Sequence, residues 1–219
     1  MISPTGNGIT NALCFIATQC LSETRGVFSS AQYSSYSSLS GALIDPGHKF
    51  ESPFRQWLPQ KSYVPPSKWR QATATNNRHL PPISFDYIGF KKQGVPMREL
   101  SARSITALGQ MIAGANDPVF ASTGLKSVTL RIMWPGYTHL DFYRVINVVT
   151  GSGHITRAQL ASTIAQHFAR FVEHARNERP DAVEYAIGPT AIQFEHLVLV
   201  GFHNTFEDVW QADVAIDRR

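Results

Sequence analysis

The fold is decided in residues 126–178, which read KSVTLRIMWPGYTHLDFYRVINVVTGSGHITRAQLASTIAQHFARFVEHARNE. Apolar and polar residues alternate up to Trp134, and a two-residue period returns beyond Pro135 and Gly136, so two strands in hairpin order are expected. After Gly153 the apolar spacing becomes that of an amphipathic helix. The apolar positions are Val128, Leu130, Ile132 and Trp134, then Leu140, Phe142, Ile146 and Val148, then Leu160, Ile164, Phe168, Phe171, Val172 and Ala175.

The start of this helix carries the clearest local signal in the chain. Thr156 and Gln159 fit a Thr-x-x-Gln capping box, in which each side chain bonds to the backbone N–H of the other residue. Ile155 and Leu160 stand at the two positions of a hydrophobic staple. We therefore expect a helix that begins at Thr156 and has one solvated side.

Three further elements are expected in the C-terminal part of the chain. Residues 97–113 have an imperfect helical stripe that ends at Gly114. Residues 194–202 form a continuous apolar run, which is typical of a buried strand, and residues 209–216 alternate as a second strand. A loop over residues 203–208 would join these two strands as a second hairpin.

The order of these elements predicts the fold class. Helix, strand, strand, helix, strand, strand indicates an α+β domain over residues 83–219. We expect an antiparallel sheet of two hairpins with two helices packed on one face. A hairpin followed by a helix that packs across it also fits the first half of a ubiquitin-like roll, an analogy that carries no functional information.

The first 82 residues have a different composition. Residues 1–46 are Ser-rich and bury too little apolar surface to offset the entropy of ordering, so a disordered or loosely attached segment is expected. Residues 47–82 form a Pro-rich arm that is also basic and aromatic, and its prolines disfavour helix and central strand. We expect an irregular arm that lays its rings on the domain. These rings belong to Phe50, Phe54, Trp57, Tyr63 and Trp69.

Charge is unevenly distributed along the 219 residues, whose formal net charge is +4. Residues 48–103 hold ten of the twenty Lys and Arg but only three acids, whereas residues 181–217 hold seven acids and no Lys or Arg. The overall balance is far from that of a dedicated nucleic-acid binder. The sequence predicts a basic side and an acidic side.

The two cysteines and the apolar runs restrict the class of protein. Cys14 and Cys20 lie in one short segment, so neither a disulfide framework nor a zinc site of four ligands is expected. Residues 12–21 lack a preceding Lys or Arg, unlike a signal peptide, and no apolar run approaches the ~20 residues that cross a bilayer. We expect a soluble intracellular protein, cytoplasmic or nuclear, without a membrane partner, and secretion is the less favoured alternative.

Two short motifs carry a resemblance to a known group of proteins. Trp-Pro-Gly-Tyr at residues 134–137 and Gly-His-Ile-Thr-Arg-Ala-Gln-Leu at residues 153–160 resemble a set of uncharacterised proteins of mushroom-forming fungi. The similarity covers roughly residues 126–217 and includes Trp210 and Gln211. The resemblance implies a shared fold and a fungal source, and no functional residue can be carried over from it.

Catalytic and metal-binding motifs are missing from the sequence. His167 and His174 are seven residues apart on the predicted helix, about 10 Å, which is too far for both to bind one zinc ion. We therefore expect no metal and no cofactor. The polar residues His139, Asp141, Tyr143 and Arg144 on the predicted second strand are the basis of an alternative hypothesis, a small enzyme of unknown class.

The Gly-rich connection before the helix is a weak candidate for an anion site. Gly151, Ser152, Gly153 and Arg157 could surround a phosphate at the helix N-terminus. Strand-to-helix connections commonly use glycine and a hydroxyl cap for purely structural reasons, so the structural interpretation is favoured.

The leading functional hypothesis is a non-enzymatic module for protein binding or self-association, which acts through sheet edges, the aromatic arm and complementary charge. The candidate partner-binding residues are Trp57, Tyr63, Trp69, Arg70 and Tyr137. We expect Trp134 to pack on the helix and Tyr137 to be more exposed. An alternative is a nucleic-acid-binding module that uses the basic and aromatic zone of residues 48–103.

Overall fold

The elements follow the predicted order of hairpin, helix and hairpin. The computed structural model describes residues 49–67 and 80–218. The strands are β1 Arg55–Trp57, β2 Ile83–Ser84, β3 Val95–Pro96, β4 Ser127–Ile132, β5 Phe142–Asn147, β6 Val149–Thr150, β7 Gly153–His154, β8 Leu197–Phe206 and β9 Val209–Asp217. The α-helices are α1 Met97–Ala102, α2 Ile105–Gly109 and α3 Arg157–Ala175, with 3-10 turns at Val183–Tyr185 and Phe194–His196.

Seven of these strands form one mixed sheet. The order is β2-β8-β9-β4-β5, while β3 also pairs with β8 and β1 also pairs with β9. The α+β class is confirmed, but the prediction of a purely antiparallel sheet is wrong, since β4 and β9 are parallel. The chain crosses one face of the sheet through α3 between the two hairpins, and this crossover places β9 beside β4 in the same direction.

The helices share one hydrophobic core with the inner face of the sheet. Val128, Leu130 and Ile132 of β4 alternate into this core, and the predicted stripe of α3 is buried against them. Both halves of the capping box at Thr156 and Gln159 are formed, so the predicted helix start is confirmed. The hairpin of β4 and β5 is antiparallel, as expected.

Two boundaries differ from the predictions. The helix over residues 97–113 is interrupted at Arg103, because Ser104 accepts a hydrogen bond from the backbone N–H of Ala107 and starts a second short helix. The predicted loop over residues 203–208 is mostly strand. β8 continues to Phe206, and the Asn204 side chain donates to the carbonyl of Glu207, which closes a turn of two residues.

The arm is more regular than predicted and completes the sheet. β1 and β4 pair with the same side of β9 and leave a gap between them. Leu58 fills part of it by donating its backbone N–H to the carbonyl of Val214 at 2.9 Å, and the amide of Gln60 donates to the carbonyl of Ala212 at 2.6 Å. Residues 49–60 are therefore part of the folded domain.

The aromatic rings of the arm pack on the outer face of the sheet. Phe50 and Trp57 contact each other with ring centroids 4.4 Å apart, and both cover an apolar cluster of β8 and β9. That cluster consists of Val198, Val200 and Ala215. The expectation that the arm lays its rings on the domain is confirmed for these two residues.

The Trp-Pro-Gly-Tyr turn packs inward at both of its aromatic residues. Trp134 is fully buried, 5.6 Å from the Phe171 ring of α3, and its indole N–H donates to the carbonyl of Tyr185 at 2.9 Å. The prediction for Trp134 is confirmed. The expected exposure of Tyr137 is wrong, because its ring is 1% exposed and its hydroxyl accepts the N–H of Ile187 at 3.0 Å.

We predict that Trp134→Ala lowers the free energy of unfolding by about 3–5 kcal/mol, through lost burial and a residual cavity. Trp134→Phe should lower it less, since an aromatic ring remains on Phe171. Urea unfolding monitored by circular dichroism measures both changes. An unfolding midpoint that is unchanged in Trp134→Ala would show that the Trp134 ring is not part of the core.

A second prediction tests whether the arm belongs to the folded domain. Leu58 is 2% exposed in the core, whereas Phe54, four residues earlier, is 60% exposed. Leu58→Ala should lower the free energy of unfolding by about 2–5 kcal/mol. Phe54→Ala, the matched control, should change it by no more than about 0.5 kcal/mol. Equal effects of the two substitutions would show that the arm contributes no specific packing.

Candidate functional site

The predicted partner-binding residues of the arm are mostly occupied within the chain. Trp57 packs on Phe50, and Tyr63 lies under the guanidinium of Arg131, 4.3 Å from its Cζ. The backbone N–H of Tyr63 also donates to the side chain of Gln211 at 2.6 Å. Tyr137 is a core residue with no surface to offer. Trp69 and Arg70 lie outside the described residues.

The four polar residues His139, Asp141, Tyr143 and Arg144 do not form one site. His139 and Asp141 precede β5 in the loop, so their predicted place on the strand is wrong. His139 lies 3.8 Å from the carboxylate of Asp181, whereas Asp141 forms an ion pair with Arg131. The charged groups thus pair with different neighbours, and the geometry lacks a nucleophile held beside a base.

The helix N-terminus has no donor left for an anion. Arg157 and Ala158 donate their backbone N–H groups to the carbonyls of Asp117 and Ala115 at 3.0 and 2.9 Å, while the capping box uses those of Thr156 and Gln159. The Arg157 guanidinium bonds to Asp117 and to the carbonyls of Gly114 and Ser84. It thus points away from the proposed loop, in which Gly151 and Ser152 form a tight turn between β6 and β7 and Gly153 is the first residue of β7.

One basic residue of the arm already meets the acidic C-terminal zone within the chain. Arg55 and Asp217 face each other across β1 and β9, with 2.9 Å between Nη2 and Oδ2. Both side chains are only 10% exposed, so solvent screens this pair less than a surface pair. Part of the charge separation in the sequence is therefore neutralised inside the fold.

Two clefts flank the 3-10 turn at Val183–Tyr185. Their volumes are about 350 and 340 Å³, and Glu184 and Tyr185 line both. Burial, and secondarily the carboxylate of Glu184, raises the pKa of the Tyr185 hydroxyl. This keeps the hydroxyl protonated and inactive as a base. Within residues 49–67 and 80–218, no cluster of three or more His, Cys, Asp or Glu is arranged to hold a metal ion.

A buried polar layer lies between the arm and the outer face of β9. The side chain of Gln211 bonds to the backbone of the arm through both amide atoms, to Lys61 and to Tyr63. Asp213, next on the same face, is buried with His203 Nδ1 at 3.8 Å, a distance too long for a hydrogen bond. The two-residue alternation of β9 places Gln211 and Asp213 together, so the sequence contained a signal for this layer that was missed.

Burial raises the pKa of Asp213 from 3.8 to about 8. The folded protein therefore keeps a proton on Asp213 between about pH 4 and pH 8, where the unfolded chain has lost it. A folded state that binds more protons loses stability as pH rises. The effect levels off above the folded-state pKa.

We predict that Asp213 makes the free energy of unfolding fall as the pH rises from about 4 to about 8. The fall should be at most ~1.4 kcal/mol per pH unit. Asp213→Asn should remove this slope and stabilise the protein at pH 8. Asp181→Asn, at a side chain that is 70% exposed, should leave the slope unchanged. Urea unfolding curves at several pH values measure this dependence of the free energy of unfolding on pH. Parallel curves for Asp213→Asn and wild type would contradict a buried neutral carboxyl.

Strand β5 presents an open edge that the sequence did not reveal. It pairs with β4 alone among the described strands. Thr129 donates its N–H to the carbonyl of Asp208, on the β9 side, so the Thr129–Val145 pair is not hydrogen-bonded and the N–H and C=O of Val145 point outward. By alternation, Tyr143 and Asn147 also point their backbone groups outward.

The outer side of this edge is apolar and exposed. Tyr143 is 49% exposed and Val145 is 60% exposed, while the inner face is fixed by Phe142 against the Phe171 ring at 5.3 Å. The Nη1 atom of Arg144 donates to the outward carbonyl of Tyr143 at 2.7 Å. Charged side chains on an edge strand commonly prevent uncontrolled pairing with other chains.

Comparisons of the chain with protein-family models, curated proteins and solved structures found no match. The described residues also contain no helix long and apolar enough to span a membrane. The functional interpretation therefore depends on the geometry of the sites themselves.

Proposed function

We propose that this protein is a non-enzymatic protein-binding module that accepts an extended segment of a partner along the edge of β5. The observation that carries the proposal is the open edge itself. Its outward backbone groups at Tyr143, Val145 and Asn147 stand beside exposed apolar side chains on a strand whose inner face is fixed.

Strand addition supplies both affinity and selectivity at such an edge. Backbone hydrogen bonds give affinity, and alternate side chains of the added strand give specificity. The edge of β5 offers six residues, about 20 Å at the usual rise of a strand. This length is enough for several backbone hydrogen bonds in one short segment.

The contacts of the arm favour this function over nucleic-acid binding. Base stacking needs exposed aromatic faces beside free cations. Phe50 and Trp57 instead stack on the sheet, Tyr63 is occupied by Arg131, and Arg55 is paired with Asp217. The scattered polar groups of residues 139–144 likewise give no support to an enzyme.

The proposal predicts that Val145→Pro abolishes partner binding without unfolding the protein. Val145 points its N–H away from β4, so proline removes an edge donor and leaves the internal ladder intact. Val145→Thr is the matched control, because it keeps the N–H and the β-branched shape. Affinity purification from the native source with the three proteins, quantified by mass spectrometry, measures retention.

A specific partner should be retained by wild type and by Val145→Thr and lost with Val145→Pro. Circular dichroism must show that all three proteins unfold at similar temperatures. Equal retention of the same partner by Val145→Pro would place the binding surface elsewhere and reject the proposal.

A further inference from the structure

We propose that the segment added to β5 is acidic, and that Arg144 selects it. This inference rests on the proposed function, since it names the chemistry of the partner at the same edge. It is based on the positions of two guanidinium groups, that of Arg144 on the edge strand and that of Arg170 on the neighbouring helix α3.

Arg144 is placed to change partners when a strand is added. Its guanidinium is folded back over the edge, with Cζ 4.2 Å from the centroid of the Phe142 ring and Nη1 on the carbonyl of Tyr143. An added strand would donate its own N–H to that carbonyl. The guanidinium would then be released and would require another acceptor.

The electrostatic surroundings of Arg144 are positive. Burial, and after it the charges of Arg170 and Arg144, lower the pKa of His167 on α3. Within the described part of the chain, neither guanidinium has a carboxylate within 4.0 Å. The edge of β5 therefore carries uncompensated positive charge beside open backbone groups.

An acidic residue on the added strand satisfies this requirement. A side chain directly opposite Arg144 would have its Cβ about 4.5–5.5 Å away, within reach of a bidentate Arg–carboxylate pair. On the other face, Tyr143 and Val145 favour apolar residues at alternate positions. The expected segment thus alternates acidic and apolar residues.

A second copy of this chain fits the same edge less well. Antiparallel pairing of two β5 strands about Val145 would set Arg144 of one copy diagonally opposite Arg144 of the other, about 7–8 Å away on one face. Arg170 would add to the repulsion. Charge complementarity therefore favours an acidic partner strand over self-pairing.

The test uses three capped, fluorescein-labelled peptides and the full-length protein. The acidic peptide is Thr-Glu-Val-Glu-Val-Glu-Thr, and the others carry Gln or Lys in place of each Glu. Fluorescence anisotropy gives the dissociation constants for wild type, Arg144→Gln and Val145→Pro. Arg98→Gln, at an exposed arginine of α1, is the matched control for a lost charge.

The acidic peptide should bind wild type roughly tenfold more tightly than the Gln peptide, as expected for a charge-assisted hydrogen bond. The Lys peptide should bind most weakly. Arg144→Gln should remove most of the preference for Glu, Arg98→Gln should retain it, and Val145→Pro should abolish binding.

The two proposals fail in different ways. Equal binding of the Glu and Gln peptides, still abolished by Val145→Pro, would overturn the acidic preference and leave strand addition standing. Binding of the acidic peptide that survives Val145→Pro would overturn both proposals. Failure of the acidic peptide to bind wild type at millimolar concentration would overturn the inference about Arg144.

Discussion

The burial of β8 and β9 on both faces is the constraint on which the rest of the structure depends. Every residue of Leu197–Phe206 up to His203 is buried, as is every residue of Val209–Asp217 up to Ile216. An antiparallel pair usually leaves one face to water, so this pair needs a second covering layer. The helices supply one layer and the arm supplies the other. Proline suits the arm, because a backbone that lacks N–H groups can cross a sheet without leaving donors unsatisfied.

The polar layer under the arm fixes the position of the arm, and its burial keeps a proton on Asp213 in the folded protein. Gln211 holds the arm backbone from both amide atoms, and Gln60 reaches the carbonyl of Ala212 from the arm side. Asp213 lies between Gln211 and Ala215 on the same face of β9. Unfolding hydrates Asp213 and returns its pKa toward the ordinary value. Proton binding by Asp213 and folding are therefore linked thermodynamically.

Local periodicity predicted the parts of the fold that depend on local structure. The hairpin, the capped helix at Thr156 and the burial of Trp134 all follow from residues close together in sequence. The parallel contact of β4 with β9 and the pairing of β1 with β9 depend on residues more than 70 positions apart, which a periodicity cannot specify. The exposure predicted for Tyr137 was wrong because the partner of its hydroxyl, the backbone N–H of Ile187, lies 50 residues along the chain. The open edge of β5 escaped notice for the same reason, since strand order decides which strand is outermost.

Within residues 49–67 and 80–218, the path of the arm leaves the outer face of β5 uncovered. The described arm reaches Arg131 on β4 through Tyr63, one strand short of β5, and Arg131 in turn lies 5.4 Å from the ring of Tyr143. On the inner face, Phe142 is held against Phe171, so β5 cannot twist away from the sheet without opening the core. The edge is thus presented to solvent in a fixed geometry. An added strand would need to order itself and displace the Arg144 guanidinium while the backbone of the edge stays in place, and such preorganisation is what allows a short segment to bind with useful affinity.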